Sequence, residues 1–300
     1  MNIKDCFLAT GIGSLPFREK GEAVDFVLEN FEGNIPFWPQ LPRRSFLESM
    51  HIQFSEGFPG IVVDNERKSV SVNTRDPSFI EAFERCYHAL NNNELGYFAM
   101  SHEYAAGFHE FLKKIASRHY PFIKGQVIGP ISFGAMLLDD KKKPVVFDPE
   151  LNEIIPLFLS SKTKWQIKKM KEATDDTIII FIDEPYLVAV GSNEFAALDR
   201  ASISSKINTV VEAIHREGAI AGIHCCGNTD WSICFETDID ILSFDSFEFM
   251  DSLFIYRDSV GAFVKRGGVL ACGIVPKRED YELGAYREVA IDDLKKERIL

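Results

Sequence analysis

The stretch AGIHCCGNTDWS, residues 221–232, sets His224, Cys225 and Cys226 side by side straight after an apolar run. In an extended strand, residues i and i+2 point the same way about 6.5 Å apart. His224 and Cys226 can therefore converge on one ion, while Cys225 turns to the opposite side, towards a helix layer. Imidazole plus thiolate favours zinc among the common cytosolic metals. Asp245 closes the next apolar run and offers a carboxylate as third ligand. Three protein ligands leave room for a substrate atom, which separates a catalytic zinc from a structural one. The competing reading is a pair of satisfied packing residues at a strand end, and spacing alone does not decide between the two.

The other apolar runs also end in residues capable of chemistry: Gly13-Ser14, Gln40, Gly129-Pro130, Asp183-Glu184 and Asp245. The runs that carry them are FLATGIGS, IPFWPQ, FIKGQVIGP, TIIIFIDEP, AIAGIHCC, DILSFDSF and GGVLACGIVP, with GYFAMSH as an eighth candidate. Between them lie stretches of helical period. Val24, Val27, Leu28 and Phe31 repeat at that spacing, as do Phe79, Phe83, Tyr87 and Leu90. Residues 151–172 and 204–217 read as two longer helices. Near-continuous apolar strands separated by helices imply a parallel sheet covered on both faces. Seven or eight such units in 300 residues suit a (β/α)8 TIM barrel, one in which the closing strand can be missing. The C-terminal strand ends of a barrel open on a single rim, so these polar endings would share one site. No low-complexity linker interrupts the chain, and residues 1–300 read as a single barrel domain.

Composition narrows the partners. A net charge of −12 argues against nucleic acid, whose phosphates recruit basic surfaces. No apolar run approaches the roughly 18 residues of a membrane span, and the N-terminus lacks the pattern of a signal peptide. Six scattered cysteines fit reduced thiols in a cytoplasmic protein better than a disulfide framework. GIGSLP lacks the third glycine of a dinucleotide fingerprint. His102, Glu103, His109 and Glu110 miss the H-E-x-x-H spacing and read as a solvated helix face.

The endings, taken in order, resemble the cobalamin-independent methionine synthase family, in the superfamily that includes uroporphyrinogen decarboxylase. TGIGSLP is similar to that family's T-I-G-S-F-P, IKGQVIGPIS to V-K-G-M-L-T-G-P-V-T, and IDEPYL to I-D-E-P-A-L. IHCCGNTDW follows its H-x-C segment, and DIDILSFDS follows D-A-D-V-I-T-I-E-T. These matches run from residue 10 to residue 246. The resemblance implies His224 and Cys226 as zinc ligands, with Asp245 where the family has a glutamate. It implies Asp183 as the holder of the amino group of a homocysteine-like thiol, and backbone groups of Ile12, Gly13 and Ser14 as the partners of its carboxylate. Gln40 is the nearest candidate for a glutamate of the family's acceptor site. The sequence also departs from the pattern. Phe133 and Gly134 follow GPIS where the family stacks folate on a tryptophan, and the family's last cysteine ligand has no counterpart: either the sequence is truncated, or Cys272 or solvent takes its place.

The chemistry implied is zinc-dependent transfer of a methyl group to a small thiol, with methyl-folate or a methyl-corrinoid protein as donor. Two alternatives compete with it. One is a decarboxylase of the uroporphyrinogen type, which would want a basic pocket. The other is a non-catalytic barrel subunit of a corrinoid or methyl-transfer system.

Overall fold

The computed structural model describes residues 3–5, 7–192, 195 and 198–275. In chain order its strands are β1 (Ile61–Asp64), β2 (Ser69–Val72), β3 (Phe122–Ile128), β4 (Leu138–Asp139), β5 (Thr177–Asp183), β6 (Ile220–Cys225), β7 (Ile241–Phe244) and β8 (Val269–Cys272). The helices are α1 (Lys20–Asn30), α2 (Met50–Gln53), α3 (Phe79–Asn91), α4 (Ala106–Ile115), α5 (Pro130–Met136), α6 (Pro149–Ala173), α7 (Arg200–Arg216), α8 (Trp231–Phe235), α9 (Ser246–Phe254) and α10 (Arg257–Lys265).

Five of the expected apolar runs form one parallel sheet in the order β3-β5-β6-β7-β8. Two more join it without forming regular strands. Ile35 N–H donates to the Ala9 carbonyl, Gln40 N–H to Gly13, and Lys124 N–H to Pro36. Isolated parallel bridges link Ser14 to Gln40 and Phe37 to Lys124. Pro36 and Pro39 explain the irregularity, because each removes a donor the ladder needs. Seven segments thus lie side by side in chain order, all parallel where they pair. The eighth candidate does not become a strand: Leu95–Phe98 is a 3-10 turn. The structure is α/β with a parallel sheet and covering helices, and no closed barrel is formed among the described residues.

Strand alternation sorts the side chains into two apolar clusters. Phe122, Ile179, Phe181, Ile220, Ile241, Val269 and Ala271 share one face with Ile3, Leu8 and Ile35. This is the inner face of the sheet. Ile123, Val127, Ile180, Ile182, Ala221, Ile223 and Leu242 point the other way, into the larger cluster shared with the helices. The two longer helices form as expected, but each starts earlier, at an Asp cap: α6 at Pro149 and α7 at Arg200. Asp148 accepts from Glu150 N–H and Leu151 N–H at the head of α6, and Asp199 accepts from Ser202 N–H at the head of α7.

α6 is also tied to the sheet by polar contacts. Gln166 is fully buried; its carbonyl oxygen accepts from Trp38 Nε1 at 2.8 Å, and its amide donates to the Gln126 carbonyl at 3.0 Å. An antiparallel hairpin of β1 and β2, with β4 parallel to β2, forms a separate three-stranded sheet. It is built from the connections after the second and third segments, where the sequence reading had no strands. No helix among the described residues is long and apolar enough to cross a membrane.

Candidate active site at the strand ends

The parallel register aligns Ile128 with Asp183, Asp183 with His224, His224 with Ser243, and Ser243 with Ala271. By alternation Asp183, His224 and Ser243 extend the inner row at its C-terminal edge. The sequence therefore brings Asp183 and His224 together, as expected.

Asp183 is buried, at 3 % exposure, and its Oδ1 has no hydrogen-bond partner among the described residues. Burial raises its pKa; the positive charge of Lys124 pulls it back and the neighbouring Glu184 adds to the rise. Glu184 faces the other way and is fully buried. Its carboxylate accepts from Ile131 N–H at 2.9 Å, from Ser132 N–H at 2.8 Å and from Ser132 Oγ at 2.6 Å. Burial nonetheless outweighs these donors and pushes its pKa up to about 7. Glu184 thus locks the end of β5 to the first turn of α5, and this fixes the inward direction of Asp183. The contact requires Gly129, where a Cβ would lie 2.1 Å from the Glu184 carboxyl carbon.

The first-segment residues meet the same region. The Ile12 carbonyl accepts from Lys124 Nζ at 2.7 Å, and the Gly13 carbonyl accepts from Gln40 N–H at 3.0 Å. Ser14 Oγ donates to Gln40 Oε1 at 3.3 Å. A side chain at Gly13 would press on Gln126 and Gln40, at 3.1 and 3.2 Å. Gln40 is itself buried and spent in a relay: its amide donates to Gln53 Oε1 at 2.7 Å, and Gln53 donates to the Tyr104 carbonyl at 2.6 Å.

Lys124 and Gln126 were not singled out from the sequence. Both are fully buried and both belong to the inner row of β3. Gln126 Nε2 donates to the Trp38 carbonyl at 3.2 Å, while its Oε1 has no hydrogen-bond partner among the described residues. The signal was present: two polar residues two apart inside an apolar run must share a face.

The metal expectation divides. Cys225 is buried in the helix-facing cluster and Cys226 is exposed, the alternation expected of that pair. Burial pushes the Cys225 thiol up to about 12. His224 is half-buried, with Nδ1 3.1 Å from Ser243 Oγ, and Asp245 stands at the N-cap of α9. Among the described residues, however, no three His, Cys, Asp or Glu side chains gather into a group able to hold a metal ion. His224, Cys226 and Asp245 do not meet as a ligand set, so no step is drawn through zinc. Cys272 sits on the helix-facing side, its thiol raised by burial to about 11. His102 and His109 stack at 3.9 Å between ring centroids, and His109 Nε2 lies 2.8 Å from the Met100 carbonyl.

No protein-family model and no curated protein matches this sequence. Among solved structures, a methyltransferase from Methanosarcina mazei superposes with a TM-score of 0.50 at 15 % identity, covering 97 % of this chain and 93 % of that one. At that identity the likeness is one of fold: over nearly its whole length, the chain is similar to a methyltransferase.

Proposed function

We propose that the chain is a methyltransferase, an incompletely closed (β/α)8-type barrel over residues 1–300, that methylates a small amino-acid thiol of the homocysteine kind. The observation that carries this reading is the buried Asp183 carboxylate, one oxygen of which has no hydrogen-bond partner among the described residues, aligned with His224 at the C-terminal edge of a parallel sheet. Such an edge is where α/β folds of this kind build sites. The fold shared with a methyltransferase supports the reaction class by analogy only.

In this reading each residue has one task. Asp183 accepts the ammonium of the substrate, a charge-assisted bond that also orients it. Backbone groups of Ile12, Gly13 and Ser14 face its carboxylate. Gln40 braces the first two segments through its relay and makes no ionic contact. A thiol of ordinary pKa, near 8.5, must lose its proton to become the nucleophile. His224, oriented by Ser243, takes that proton. The sulfur lone pair then forms the S–CH3 bond, and the electron pair of the broken bond leaves with the donor, methyl-folate or a methyl-corrinoid. The decarboxylase alternative would need cations for several carboxylates, yet the buried Lys124 is already balanced by Asp183.

Isothermal titration with L-homocysteine tests the acceptor site. The wild type should bind it, and Asp183→Asn should weaken binding by about 30-fold or more, the cost of losing one buried charged partner. Equal affinity in both proteins would refute the role of Asp183. No binding to a folded wild type would favour the non-catalytic subunit.

A further inference from the structure

Lys124 is a cation inside the sheet's inner layer. It is fully buried, and burial lowers its pKa while Asp183 holds it up. Its Nζ donates to the Ile12 carbonyl at 2.7 Å. The same nitrogen lies 4.7 Å from the centroid of the Phe181 ring and 5.6 Å from that of Phe37, within the range of a cation–π contact. One side chain on the third segment thereby touches the first, second and fourth. These are the segments that carry Ile12, Gly13, Gln40 and Asp183. An isolated charge in such apolar surroundings is costly, and a paired one much less so.

We propose that Lys124 is the positioning residue of the acceptor site: it clamps the end of the first segment to β3 and supplies the counter-charge of Asp183, without touching the acceptor. The inference rests on the acceptor reading above and goes beyond it. A methionine at position 124 would keep most of the apolar stem but remove both the clamp and the charge. Asp183 would then face burial alone, and the Ile12 backbone would lose its donor.

The test compares two probes, L-homocysteine and γ-mercaptobutanoate, which is the same thiol acid without the amino group. Wild type should prefer the amino acid by about tenfold or more, the worth of one charge-assisted bond. Lys124→Met should reduce that preference to within about threefold, and Lys124→Arg should recover a part of it by restoring the charge. A general loss of packing would weaken both probes alike and leave their ratio unchanged, and that result would overturn the proposal. A stability cycle covers the case in which Lys124→Met folds poorly. The loss on Lys124→Met should be much smaller in the Asp183→Asn background; an equal loss in both backgrounds would also overturn it. If the wild type itself does not discriminate between the probes, the acceptor reading fails, while the stability cycle still reads the coupling of Lys124 to Asp183.

Discussion

Replacing Glu184 with glutamine removes one oxygen from a carboxylate that serves three donors. The best placement of the amide keeps its oxygen on Ser132 N–H and Oγ, at the site of the 2.8 and 2.6 Å contacts. Its NH2 group then faces Ile131 N–H, which loses its 2.9 Å acceptor. A buried donor left unsatisfied costs about 1–3 kcal/mol. A second effect depends on pH. The pKa of Glu184 rises from 4.5 to about 7 in the fold, so the folded protein binds a proton more tightly than the unfolded chain. The associated stability is fully present below the unfolded pKa and is lost as pH rises through the folded one. At 1.36 kcal/mol per pKa unit the contribution is on the order of 3 kcal/mol. Glutamine does not titrate and has no such dependence. Urea denaturation of both proteins at about pH 5 and about pH 8 reads the difference directly. Glu184→Gln should be clearly less stable near pH 5, and its deficit should shrink by roughly 2–3 kcal/mol near pH 8. A deficit that grows with pH would show that the three donors hold Glu184 ionised, and would refute the burial argument.

Gly129→Ala places a Cβ against the Glu184 carboxyl group; it should lower stability by about 2–4 kcal/mol, read as a reduced denaturation midpoint. A short iodoacetamide pulse on the folded protein, followed by peptide mass spectrometry, should label Cys226 and spare Cys225, since only the first is exposed and burial pushes the second up to about 12. Cys225 labelled first would place the strand register off by one residue. Zinc supplied in excess should be removed by dialysis against a weak chelator, because His224 and Cys226 are not joined by a third ligand among the described residues. One ion retained per chain in the wild type and lost in Cys226→Ser would contradict this, and would restore the three-ligand reading.

Much of the architecture was legible because local and global signals agreed. TIIIFIDEP and FIKGQVIGP became β5 and β3, whose β-branched runs are buried on both faces. Asp183 and His224 met because strand ends in a parallel array share an edge. The opposite fates of Cys225 and Cys226 followed from a period of two. GYFAMSH failed because an apolar run of that length does not separate strand from turn without its partners; its residues close the 3-10 turn before α4 instead. The hairpin of β1 and β2 was missed because its strands are only four residues long and mostly half-exposed, one with three apolar residues in a row and the other alternating polar and apolar. Lys124 and Gln126 were hidden for the opposite reason, polar residues inside a run read as uniformly apolar. The convergence of three ligands was beyond reach, since it depends on how far neighbouring strand ends lie apart and not on any spacing along the chain.

Methylation of an amino-acid thiol at this strand-end site is tested best by direct product detection. Purified wild type is incubated with L-homocysteine and, in parallel, with methyl-tetrahydrofolate or methylcobalamin, and methionine is measured by mass spectrometry. Methionine should form from at least one donor, with the rate lowered by about a hundredfold in a folded Asp183→Asn variant. Absence of methionine with both donors, or an unchanged rate in Asp183→Asn, would contradict it.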